Sequence, residues 1–364
     1  MASPEAGVPV QVEQRRGSFV ESVHRVHVAV VDAQGTLVAR SGDPDLVTFW
    51  RSAAKPFQAL PLVLDGIVDR FHLTREDLAL ACASHSSEAR QVDLVREFLQ
   101  RVGCSERDLR CGPHTPLSDA VAKDYETRGV RLSAIYSNCS GKHTGMLALA
   151  RGHDWPTEFY WRPEHPVQQR CLAEVSRWSG VAAERIGMAV DGCGVVCFAL
   201  PLRNMALAYA RLTIADFGLR IADSQRKVDP GSDLASPIRN PQSTIRNSQS
   251  AFRTPHSVVE AMLRHPDLIA GEGRPCTDMM RAHPGRVITK VGADGVYSAV
   301  LVHEGLGITL KVEDGHGPSA ALAIAAVLEQ LGLHPQPASL AARPTLNTRG
   351  ETVGELRVSG ELER

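Results

Sequence analysis

The chain of 364 residues has no long hydrophobic run; its longest, Ala320 to Leu328, is bounded by Ser319 and Glu329. A membrane-spanning helix needs about 18 consecutive apolar residues, so no membrane partner is expected. There is almost no charge imbalance either, with a formal net charge of −1. That leaves no electrostatic basis for binding nucleic acid or an anionic membrane surface. The N-terminal MASPEAGVPVQVEQRRGS lacks a basic stretch followed by an apolar one. No export signal is visible, and a cytoplasmic location is expected. No C-x-x-C occurs among the eight cysteines at 82, 104, 111, 139, 171, 193, 197 and 276. A chain long enough to bury its own core needs no disulfides, so most of these read as buried thiols.

What is present is ordinary for a soluble globular protein: 43% hydrophobic and 22% charged residues. Val26 to Val31 and Thr36 to Ala39 are rich in β-branched residues and flank Ala33-Gln34-Gly35, which predicts a β-hairpin. Ser52 to Asp65 has helical spacing with Pro56 in its first turn. Ser87 to Val102 predicts an amphipathic helix capped by Ser86 or Ser87. Further helices are predicted at Thr144 to Arg151, Pro166 to Ser179 and Pro318 to Leu331. Val287 to Lys290 and Gly295 to Val302 predict paired strands around a turn at 292–295. Helices and strands mix without regular β-α-β alternation, which predicts an α+β fold in one catalytic unit, 1–364. Residues 220–252 stand apart: the tract is polar, and IRNPQS at 238–243 recurs as IRNSQS at 245–250. It reads as an exposed low-complexity insertion.

Arg51-Ser52-Ala53-Ala54-Lys55 contains S-x-x-K at the start of a predicted helix. On a helix, i and i+3 share a face, so the lysine amine can approach the serine hydroxyl. A hydroxyl needs such a base to become a nucleophile, and burial or nearby positive charge can make the amine neutral. Alone the motif is weak, since a helix cap followed by a surface lysine explains it better. Ser84-His85-Ser86 before a helix and Lys290-Val291-Gly292 at a strand end strengthen it. Penicillin-recognising serine enzymes use that order: S-x-x-K, a serine-bearing loop, then lysine on a strand.

Asn138-Cys139-Ser140-Gly141-Lys142-His143 packs a thiol, an amine and an imidazole together, and Asp191-Gly192-Cys193-Gly194 is a second glycine-flanked thiol. Cys139 and Cys193 with a nitrogen from Lys142 or His143 could hold zinc. Cys139 with His143 could equally be a thiol nucleophile and its base, and two buried thiols beside a surface lysine remain a third reading. On chemistry alone His143 is the better zinc ligand, because an amine must first lose its proton.

The segments RSAAKPFQALPLV (51–63), CASHSSE (82–88), RCGPHTPLS (110–118), NCSGKHTGMLALA (138–150), HPVQQ (165–169), DGCGVVCFALPL (191–202) and TKVGADGV (289–296) resemble, in order and spacing, the rhizobial-type L-asparaginases of the asparaginase II family. The resemblance runs from about Val23 to Leu333 and fails across 220–252. It implies a fold similar to serine β-lactamases and penicillin-binding proteins, a homodimer, and hydrolysis of L-asparagine to L-aspartate and ammonia. It places two serine–lysine tandems on Ser52 with Lys55 and on Ser84 with Lys290. It puts one zinc ion on Cys139, Lys142 and Cys193, and lines the substrate pocket with Arg51, His143 and Asp191. Val196-Cys197 departs from the family pattern, which has a proline and a small residue there. Hydrolysis of glutamine or another amide, and a non-catalytic zinc-binding module on the same fold, are the rival readings.

Overall fold

The computed structural model describes residues 9–214 and 254–364. The reading of 220–252 as an exposed insertion therefore lies outside the described residues. The first half runs β1 (Gln11–Arg16), β2 (Phe19–Asp32), β3 (Leu37–Ser41), β4 (Val47–Phe49), α1 (Lys55–Leu64), α2 (Ile67–Arg70), α3 (Arg75–Cys82), α4 (Ala89–Arg101), α5 (Asp119–Thr127), α6 (Ser140–Gly152) and α7 (Pro166–Ser179). Then follow β5 (Gly187–Val190), β6 (Val196–Pro201) and α8 (Leu202–Arg211). After the segment left undescribed come α9 (His256–Arg264), α10 (Pro266–Ile269), α11 (Pro275–Ala282), β7 (Val287–Val291), β8 (Val296–Leu301), β9 (Leu306–Val312), α12 (Gly317–Gln330), β10 (Ala342–Leu346) and β11 (Thr352–Ser359).

The main sheet has the order β10-β11-β1-β2-β9-β8-β7, antiparallel throughout. The 14-residue β2 pairs along one edge first with β1 and then with β3, forming the hairpin predicted around 33–35. Its stretch Val28–Val31 is buried because α8 packs on the sheet as well as α12. A strand covered on both faces reads as an apolar run rather than an alternation. The crossing of α8 over β9 is close: a Cβ on Gly307 would lie 1.9 Å from the backbone oxygen of Ala206. A smaller sheet, β4-β6-β5, and the helices α1, α3, α6 and α7 make up the other side, with α1 touching the other three helices. This is an α+β arrangement, as the irregular mix of periodicities predicted.

Among the boundaries that differ from the sequence reading are two helix starts. Helix α4 begins at Ala89, and its cap is Glu88 rather than Ser86 or Ser87. The Gln91 side chain accepts hydrogen bonds from the backbone N–H groups of both Ser86 and Glu88, so the serines stay in a loop ahead of the helix. Helix α6 begins at Ser140, a turn before Thr144, since the His143 N–H already bonds the Cys139 carbonyl.

Candidate active site

The chain enters the site through a clamp on Trp50. Its N–H bonds the Phe198 carbonyl, its indole N–H donates to Ser298 Oγ at 3.0 Å, and its ring stacks on Phe57 at 4.8 Å. The next residue, Arg51, has φ of 54°. For a residue with a Cβ, left-handed backbone costs on the order of 1 to 3 kcal/mol and persists only where the surroundings impose it. Arg51 Nε donates to Asp191 Oδ1 at 2.9 Å, and its Nη1 pairs with Asp294. Residues 51–54 form a 3-10 turn, and α1 starts at Lys55. Tyr209 anchors that turn from behind, its hydroxyl donating to the Ala53 carbonyl at 2.7 Å.

The two lysines converge on one hydroxyl. Lys55 Nζ lies 2.9 Å from Ser84 Oγ and 2.5 Å from the Ala83 carbonyl. Lys290 Nζ, arriving from β7, lies 2.8 Å from Ser84 Oγ and 2.9 Å from the Val291 carbonyl. Both lysines are wholly buried and Ser84 nearly so. Burial and the charge of Lys55 bring the Lys290 pKa down to about 7. Lys55 makes no hydrogen bond to Ser52, the one that helical spacing suggested, among the described residues. Ser52 sits in the 3-10 turn rather than in the helix proper, and the amine reaches across to the 83–84 segment. Ser52, partly exposed, makes no side-chain hydrogen bond among the described residues and lines a pocket of about 210 Å³.

That pocket is shared with Arg51, Asp191, Cys139, Cys193, Asn138 and His114. Burial raises the Asp191 pKa, but Lys142 and Arg51 outweigh it and hold the carboxyl below its usual range. Lys142 Nζ lies 2.9 Å from Cys193 Sγ. A hydrogen bond from the Cys139 thiol, against the effect of burial, brings Cys193 down to about 5, while Cys139 itself is pushed up to about 12. Cys193 is thus the more acidic of the two thiols, with Lys142 Nζ and Asp191 Oδ2 on either side of its sulfur. Burial lowers the Lys142 pKa, yet the neighbouring sulfurs and Asp191 offset this and hold it above its ordinary value.

These donors fit zinc in kind. Two sulfurs and a nitrogen are its preferred ligands, and three protein ligands leave a position open. Among the described residues no group of three His, Cys, Asp or Glu is placed to hold a metal, and the nitrogen beside Cys193 Sγ is that of Lys142. Its proton would leave as the ion arrives. His143, which chemistry alone favoured as the ligand, faces away. Its Nδ1 bonds the Tyr160 hydroxyl at 2.6 Å, burial holds its pKa down at about 3, and it does not line the pocket.

Sequence reading passed over Asn138 and His114 in the pocket wall, and Asp294, which it took only as a turn residue. The first two lie within quoted family segments, which was the available signal. Asp294 also lies within one, TKVGADGV, but its pairing with Arg51 depends on the β7–β8 turn reaching that residue.

The profile of the L-asparaginase II family matches residues 12–358, nearly the whole chain. The chain belongs to that family. It is accordingly a hydrolase of asparaginase type, acting on small-molecule amides. No curated protein matches the chain. Among solved structures it is similar to a beta-lactamase from Mycobacterium bovis, at 16% identity and a TM-score of 0.35, covering 85% of this chain and 95% of that one. It is also similar to a simvastatin synthase variant from Aspergillus terreus, at 12% identity and a TM-score of 0.38, covering 82% and 88%. Likeness at that level says nothing about chemistry. No helix among the described residues is long and apolar enough to cross a membrane.

Proposed function

We propose that this chain hydrolyses L-asparagine to L-aspartate and ammonia through an acyl-enzyme on Ser52. The observation that carries the reading is the convergence of Lys55 and Lys290 on Ser84 Oγ, with Lys55 following the 51–54 turn whose Ser52 lines a pocket with Arg51 and Asp191. Two ammonium groups sharing one buried hydroxyl repel each other, so one of them has to be neutral near neutral pH. Lys290, with its pKa near 7, is that base.

A proton first moves from Lys55 through Ser84 Oγ to the neutral Lys290, and the freed Lys55 amine then accepts the proton of Ser52 Oγ as that oxygen attacks the side-chain amide carbon. The tetrahedral centre collapses with rupture of the C–N bond. Ser84, hydrogen-bonded to both amines, passes a proton toward the departing nitrogen, which leaves as ammonia. Water then adds to the ester, with Lys290 accepting its proton through Ser84, and aspartate is released. Arg51 and Asp191, paired with each other in the free protein, are suited to the substrate's α-carboxylate and α-ammonium, exchanging one ion pair for two. Zinc on Cys139, Lys142 and Cys193 would supply positive charge that organises the pocket wall. The family also implies a homodimer, which light scattering on the eluting protein measures directly.

The test is ammonia release by the purified protein from L-asparagine and from L-glutamine, with a chromogenic β-lactam as a third substrate. Turnover of asparagine that disappears in Ser52→Ala supports the reading. Preference for glutamine or the lactam moves the substrate assignment, and full activity in Ser52→Ala refutes the nucleophile.

A further inference from the structure

A cavity larger than the one at Ser52 lies elsewhere among the described residues. It measures about 830 Å³ and lies between the N-terminus of α12, the 270–276 loop, β10 and the start of α5. Pockets of roughly 300 to 1,000 Å³ are the size that small-molecule ligands fill. Its walls are apolar, from Leu117, Tyr297, Leu322 and Leu340. Its floor is Cys276, whose sulfur contacts the Tyr297 hydroxyl at 2.8 Å and accepts from the Val291 N–H at 3.3 Å. Val291 is the residue whose carbonyl holds Lys290.

The rim carries an excess of positive charge. Arg343 has no ion-pair partner among the described residues, and Arg274 is bonded only to the neutral Ser86 hydroxyl, at 3.1 Å. Glu272 is already neutralised by Arg281, which leaves Asp119 as the unpaired carboxylate at the mouth among the described residues. The N-terminus of α12, capped by no side chain, opens onto the same space through Gly317 and Pro318. The positive end of a helix dipole and two unpaired guanidinium groups favour an anion. The apolar walls favour a ligand with a hydrocarbon body.

We infer that this cavity is a second binding site, distinct from the Ser52 pocket, for a small amphipathic carboxylate. The carboxylate meets Arg343 and Arg274 at the rim, and the apolar body lies over Leu322 and Tyr297.

Isothermal titration of the full-length protein with octanoate, 1-octanol and octylamine tests this. Octanoate binding at one site per chain is expected, at least ten times tighter than either of the other two. Arg343→Ala should weaken octanoate at least several-fold and leave the octanol signal unchanged. Ala321→Trp, which places an indole in the cavity, should abolish binding. Should that variant not fold, Arg343→Ala with the octanol comparison still decides. Absence of octanoate binding, equal binding of octanol, or undiminished binding in Arg343→Ala overturns the assignment. Ammonia release from L-asparagine, followed in parallel, separates the two sites: competition between octanoate and asparagine would mean that octanoate occupies the Ser52 pocket instead.

Discussion

Replacing Lys290 by methionine should change how stability depends on pH, by an amount the structure sets. Methionine keeps the length and the apolar stem and removes the titrating amine. In the folded parent the Lys290 pKa is about 7, against an ordinary value of 10.5. At 1.36 kcal/mol per pH unit, the fold disfavours the ammonium by about 5 kcal/mol. Below pH 7 the lysine is protonated both folded and unfolded, so the parent bears that whole cost. Between pH 7 and 10.5 the folded protein has released the proton and the unfolded chain has kept it. Parent stability then rises with pH by about 1.4 kcal/mol per unit, while the variant has no such term. The variant also loses the hydrogen bonds to Ser84 Oγ and the Val291 carbonyl, a cost of about 1 to 3 kcal/mol that does not vary with pH. The absolute difference is therefore a poor test, and its slope a good one. Urea melts of both proteins at pH 6, 7, 8 and 9, subtracted pairwise, should show the variant losing about 2.5 kcal/mol relative to the parent between pH 7 and 9. Residues that titrate alike in both proteins cancel in the subtraction. A difference that stays flat to within about 0.5 kcal/mol across this range would show that Lys290 keeps its charge in the fold, and the base assignment would fail with it.

Activity should follow the same deprotonation, rising from about pH 6 toward pH 8 to 9, and a flat profile would argue against a lysine base. Lys55→Arg should lower kcat at least a hundredfold with the fold retained by circular dichroism, because a guanidinium does not deprotonate in this range; activity within tenfold of the parent would remove Lys55 from the chemistry. Substituting Cys139 and Cys193 together by serine should take bound zinc, measured by mass spectrometry, from up to one per chain to none. KM should then rise by more than kcat falls, whereas a collapse of kcat at constant KM would put the metal in the chemical step. Gly307→Ala should destabilise the chain by about 1 to 3 kcal/mol, since its new Cβ would sit 1.9 Å from the Ala206 oxygen and 2.5 Å from the Ala210 nitrogen. An unchanged melting temperature would mean that α8 lifts off the sheet without penalty.

Much of this molecule was decided locally. The hairpin around 33–35, the strand pair around 292–295 and helices α7 and α12 follow from β-branched runs, turn residues and helical periodicity, which act over a few residues. So does the closeness of Cys139 and Lys142, three apart at the start of one helix. The family was legible because its motifs are short contiguous strings, NCSGKH and DGCG above all. What those strings do not carry is the distance between residues far apart in the chain. S-x-x-K suggested that Lys55 faces Ser52, but its amine turns to Ser84, 29 positions away, where a carbonyl and a hydroxyl wait. The same hydroxyl receives Lys290 across 206 positions. Chemistry preferred His143 at the thiols, and the packing of α6 against Tyr160 turned that imidazole away and left Lys142 beside Cys193. Local sequence chose the residue types and the elements that carry them. Only the packing of α1 on α3, with β7 laid against the 51–54 turn, brought two lysines to one serine, because burial and charge depend on neighbours that the chain order does not name.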